Sequence, residues 1–102
     1  MIDVAPHHVE TIKAILRRRV PDREVWAFGS RATRTAKEYS DLDLAVIGDA
    51  PLDLRQLAML ENDFDESDLP FKVDVVDWAT TSDSFRQIIR STAVVLIPLD
   101  HP

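Results

Sequence analysis

The spacing of apolar residues changes period along the chain, and each change predicts an element. Residues 6–19, PHHVETIKAILRRR, set Val9, Ile12, Ile15 and Leu16 on one stripe at helical spacing. Pro6 suits the first helical position, where its missing N–H leaves no bond unmade, and Pro21 stops the segment. EVWAF, 24–28, predicts a short buried strand that runs into Gly29-Ser30. In DLDLAVI, 41–47, the period drops to two. Asp41 and Asp43 then share one face, and Leu42, Leu44 and Val46 the other. A turn follows at Gly48 to Pro51. Residues 52–64 predict a second helix with Leu54, Leu57, Ala58, Leu60 and Phe64 as its apolar side. ENDFDESDLP, 61–70, reads as an exposed acidic loop ended by Pro70. FKVDVVD, 71–77, predicts a third strand rich in β-branched residues. Residues 82–91 predict a helix capped by Ser82 or Asp83, and AVVLI, 93–97, a short strand or packed tail.

The expected fold is therefore α/β: a small mixed sheet flanked by helices, built as one domain over residues 1–102. A chain of 102 residues buries about 65% of its extended surface on folding, enough for one core without staples. There is no cysteine, which excludes disulfides, Cys-ligated zinc, iron–sulfur clusters and a thiol nucleophile. That fits a reducing, cytoplasmic setting. No apolar run reaches the roughly 18 residues of a membrane span. The start, MIDVAPHHVE, lacks the basic and apolar stretches of a signal peptide. Eighteen acids against 12 bases give a net charge of −6, which argues against direct binding to a nucleic-acid backbone.

The chemistry concentrates in FGSRATRTAKEYSDLDLAV, 28–46. Gly29 stands at a strand end, where a glycine lets the backbone approach a ligand closely. Ser30 adds a hydroxyl donor. Alone, a Gly-Ser pair marks only a turn. Asp41 and Asp43 add weight, because acids are poor strand formers and these two open a strand whose other face is packed. At i and i+2 they lie about 6.6–6.8 Å apart on one face and can bracket a hard cation such as Mg²⁺. The bland alternative is a solvated edge strand. Asp74 sits mid-strand between valines, a costly place for an unpaired charge. If the third strand lies beside the second, Asp74 faces Asp41 and Asp43. Asp77, three residues on, falls on the opposite face by parity and at the strand exit, where it can cap the next turn. Arg31, Arg34 and Lys37 flank the motif, with Arg31 the best placed for phosphate. Arg17, Arg18 and Arg19 read as cations at a helix C-terminus. His7, His8 and His101 lack ligand spacing and read as surface residues.

Gly29-Ser30, ten residues, Asp41-x-Asp43, and a downstream strand acid at Asp74 resemble the nucleotidyltransferase superfamily that includes polymerase beta. The wording GSRA…YSDLDLAV and VDVVDW resembles its minimal nucleotidyltransferase (MNT) branch. The resemblance implies two Mg²⁺ ions held by Asp41, Asp43 and Asp74, ATP as substrate, and Gly29, Ser30 and Arg31 on the nucleotide. It implies transfer of AMP to a hydroxyl. It further implies a HEPN-domain ribonuclease toxin as partner, silenced in a hetero-oligomer by adenylylation of a tyrosine. The short chain, with no segment left to bind a small acceptor, agrees with an acceptor carried by a partner protein. Two rival expectations are an antitoxin that acts by binding alone and an enzyme that modifies a small molecule.

Overall fold

The computed structural model describes residues 2–35 and 40–99. It contains helix α1 (Pro6–Arg19), strand β1 (Val25–Phe28), the single-turn helix α2 (Ser30–Thr33) and strand β2 (Leu42–Val46). Helix α3 (Leu54–Asp65), strand β3 (Val73–Asp77), helix α4 (Asp83–Thr92) and strand β4 (Val94–Ile97) complete it. A 3₁₀ turn, Trp78–Thr80, links β3 to α4. The sheet order is β3-β2-β1-β4. β1 pairs antiparallel with β2 and β4, whereas β2 and β3 are parallel. The parallel pair follows from α3, since parallel neighbours need a crossover long enough to hold a helix.

Local chemistry sets the helix ends. Pro6 opens α1, and Arg17, Arg18 and Arg19 occupy its last turn. Asp53 caps α3 by accepting from the Arg55 amide at 2.7 Å. Ser82, rather than Asp83, caps α4 by accepting from the Phe85 amide at 3.2 Å. β3 starts at Val73, two residues later than expected. Phe71 turns away to lie under the Arg31 guanidinium.

The period-two pattern gives the sheet two unlike faces. Val25, Ala27, Leu42, Leu44, Val46, Val73 and Leu96 pack against Ile12, Ile15 and Leu16 of α1 and Leu60 and Phe64 of α3. This is the main core. On the other face Phe28, Ala45, Trp78 and Ile89 form a smaller cluster with Trp26, Ile47 and Val76. Among the described residues that side is covered by α4 and Trp78, whose cluster leaves out the positions of Asp43 and Asp74. Acids can stand there without entering the main core.

One acidic segment differs from expectation. α3 continues to Asp65, so 61–65 is helical, and Asp63 is not solvated. It accepts from Arg18 Nη2 at 3.0 Å and from Arg19 Nε at 2.5 Å, joining α3 to the end of α1. These hydrogen bonds, Arg19 first and then Arg18, hold the Asp63 carboxyl down at about 2. A depressed folded value stabilises the protein above the unfolded carboxylate range, and that contribution is lost as pH falls toward 2. Asp63→Asn is therefore expected to lower the urea midpoint at pH 7. It should also flatten the loss of stability between about pH 4 and pH 2. Unfolding titrations across that range check both.

Candidate active site

Gly29 forms the corner between β1 and α2 with φ 78° and ψ −157°, a backbone region that is essentially open to glycine alone. Its carbonyl accepts from the Ala32 and Thr33 amides, both at 3.1 Å. Its own amide donates to Thr92 Oγ1 at 3.0 Å. The missing side chain matters for a second reason. A Cβ at position 29 would lie 2.5 Å from Asp43 Oδ2. The Asp43 carboxylate thus rests against the glycine backbone, and Ser30 follows directly at the start of α2.

The register places the acids. Phe28 of β1 is opposite Asp43 of β2, and Asp43 is opposite Asp74 of β3. Adjacent strands lie about 4.8 Å apart, so Asp43 and Asp74 are lateral neighbours on one face. Asp41, exposed just before β2, joins them two residues upstream. Partial burial is the main cause that raises the Asp43 carboxyl above its ordinary range, and the charges of Asp74 and then Asp41 push it further. Asp74 is 42% exposed and pairs with Lys72 at 3.5 Å. Among the described residues no three of His, Cys, Asp and Glu enclose an ion on their own. The oxygens of Asp43 and Asp74 are hard donors of the kind Mg²⁺ takes, one or two carboxylates together with waters and substrate phosphate.

Asp77 is not part of this group. Its Oδ2 accepts from the Leu52 amide at 2.9 Å and its Oδ1 from the Ala79 amide at 3.3 Å. It ties the start of α3 to the 3₁₀ turn.

Arg31 requires a correction. Its expected place was on the nucleotide, but the side chain is buried, with 6% of its surface exposed. Nε donates to the Ser40 carbonyl at 2.8 Å and Nη1 to the Asp3 carbonyl at 2.9 Å. The guanidinium also sits 4.2 Å from the centre of the Phe71 ring. Arg31 therefore joins the N-terminal segment, the residue before Asp41 and the approach to β3. These bonds are made inside the protein, so the cation serves the scaffold. Arg34 is exposed beside it in the left-handed region, φ 63°. Lys37 and His101 lie outside the described residues. Arg31→Met removes at least the two charge-assisted bonds to Ser40 and Asp3 and is expected to cost about 3 kcal/mol or more. Arg31→Lys should recover little, because one ammonium cannot span both carbonyls and stack on Phe71. Urea unfolding measures both losses.

A strand-end glycine packed on one of three neighbouring carboxylates, on a mixed sheet with a parallel β2-α3-β3 unit, is the arrangement expected of a nucleotidyltransferase domain. The pattern of the polymerase beta nucleotidyltransferase family matches residues 10–101, and the chain belongs to that family. A curated relative, the "Probable protein adenylyltransferase MntA" of Haemophilus influenzae, is 52% identical over 95 residues. The alignment covers 93% of this chain and 83% of the relative. Among solved structures, a toxin–antitoxin complex with AMP-PNP superposes with a TM-score of 0.73 at 28% identity, covering 86% of this chain and 71% of the other. A second, the tri-AMPylated Shewanella oneidensis HEPN toxin in complex with MNT antitoxin, gives 0.67 at 25%, covering 88% and 69%. Among the described residues no helix is long and apolar enough to cross a membrane.

Thr92 is a further contact at the site that reading the sequence did not find. It lies 63 residues from Gly29, and nothing in the local pattern marks it.

Proposed function

We propose that this chain is an antitoxin-type protein adenylyltransferase. It transfers AMP from ATP to a hydroxyl, a tyrosine, of a HEPN-domain ribonuclease toxin in the cytoplasm and thereby neutralises it. The observation that carries this is the lateral pairing of Asp43 with Asp74 against the Gly29 backbone. The relatives support the acceptor and the nucleotide, since one is a probable protein adenylyltransferase and another is complexed with an AMPylated toxin.

Asp41, Asp43 and Asp74 would hold two Mg²⁺ ions. When bound, these supply charge neutralisation on the triphosphate and a more acidic acceptor hydroxyl. The chain's own residues do the rest. The bare Gly29 backbone lets the phosphates come close, and the Ser30 hydroxyl offers a donor. Asp74, whose side chain is 42% exposed, takes the acceptor proton. The acceptor oxygen bonds to the α-phosphorus, the bond to the β-phosphate oxygen breaks, and pyrophosphate leaves.

The test is labelling of a cognate HEPN protein with Mg²⁺ and each of the four nucleoside triphosphates carrying an α-phosphate label. Label from ATP in excess of the others is expected. A folded chain that labels its partner from none of the four would overturn the reading.

A further inference from the structure

We propose that Thr92 is a positioning residue for the nucleotide-binding turn, acting through Gly29. The inference rests on the adenylyltransferase reading above. Thr92 is the last residue of α4, which among the described residues packs on the smaller-cluster face of the sheet. Its Oγ1 accepts the Gly29 N–H at 3.0 Å. Ser91 beside it does something different: its hydroxyl donates back to the Ile88 carbonyl at 2.6 Å, within its own helix. The Thr92 hydroxyl is turned out of the helix and onto the corner.

That corner needs holding from both sides. Gly29 has the conformational freedom of a residue without a side chain, yet φ 78° and ψ −157° is one narrow choice among many. The two α2 amides fix its carbonyl. They do not fix its amide, which lies on the β1 side of the Cα. The bond to Thr92 fixes that side. With both peptide groups held, the Gly29 Cα stays against Asp43 Oδ2, and Ser30 keeps its place beside the carboxylates. Without the acceptor, the amide is left to find water, and the φ of Gly29 is released while the strand and helix around it remain. A shift of about 1 Å at such a corner is enough to cost catalysis about a hundredfold.

The residue type is the test. Thr92→Val keeps the volume and the β-branch and removes the acceptor. Thr92→Ser keeps the acceptor and removes a methyl. Thr92→Val is expected to speed hydrogen exchange at the Gly29 amide and to lower kcat/KM for ATP at least about tenfold. The KM for the HEPN partner should not move. Thr92→Ser should stay within about threefold of the parent in both readouts. Affinity for ATP with Mg²⁺, measured by calorimetry, should follow the same order. A role confined to stability predicts instead that a folded Thr92→Val chain, assayed well below its Tm, transfers AMP normally. That result, or equal losses in Thr92→Ser and Thr92→Val, overturns the proposal and leaves the adenylyltransferase reading standing. If the parent chain itself neither binds ATP nor transfers AMP, the adenylyltransferase reading fails, and the role of Thr92 fails with it.

Discussion

A chain carrying Asp41→Asn together with Asp43→Asn is expected to lose AMP transfer by at least about a thousandfold, equivalent to about 4 kcal/mol of transition-state stabilisation. It should fold as well as the parent. Asn has the shape of Asp but cannot offer a charge to a cation or to the phosphates that come with it. Among the described residues no cation pairs with either carboxylate. Asp43 is partly buried beside Asp74 and Asp41, and its raised pKa shows that the ionised form is held at a disadvantage. The sign follows: a raised folded value means that this acid's contribution to stability is present at low pH and is lost as pH rises through that value. Removing the charge removes that loss. The double variant should therefore melt at the same temperature as the parent or slightly higher at pH 7 without metal, and circular dichroism melts together with the transfer assay check both halves. A large drop in Tm would mean that the acids serve the scaffold.

Gly29→Ala should damage both stability and activity. The strained φ and ψ alone cost a side chain about 1–3 kcal/mol. For a domain of this size, 2 kcal/mol lowers Tm by roughly 10 °C. The new methyl would also stand 2.5 Å from Asp43 Oδ2, so the carboxylate must turn away from where Asp74 can join it. Transfer should fall at least about a hundredfold even at temperatures where the variant is folded. Pairing Gly29→Ala with Asp43→Ala removes the clash and leaves the backbone strain. The double variant should regain part of the lost Tm, a coupling of the sort found between residues in contact, and regain no activity. Additive losses in Tm would mean that Gly29 and Asp43 do not touch.

What the sequence revealed about this site divides by range. Asp41 and Asp43 could be put on one face because period two is a local property of DLDLAVI. The same parity separated Asp74 from Asp77, and the cap that Asp77 supplies agrees with its place at the strand exit. The bounds of α1 were legible because prolines stand at Pro6 and Pro21. Long-range partners were not. That β3 lies parallel beside β2 depends on how α3 crosses the sheet, so the Asp43–Asp74 pairing could be posed only as a condition. Arg31 looked like a phosphate ligand because it follows Gly29-Ser30. Its bonds to Asp3 and Ser40 and its stacking on Phe71 come from three segments that meet only in the fold. Asp63 looked solvated for the same reason, its partners Arg18 and Arg19 being 45 and 44 residues away.

The most direct measurement is the intact mass of a cognate HEPN protein after incubation with this chain, ATP and Mg²⁺, run in parallel for Asp74→Asn and Asp77→Asn. Asn at position 77 keeps one carbonyl oxygen to accept from the Leu52 or Ala79 amide, so that variant should fold. The site described here predicts a gain of one or more adenylyl groups with the parent, a gain close to that with Asp77→Asn, and none with Asp74→Asn. No gain with the folded parent, or equal losses in the two variants, would contradict it.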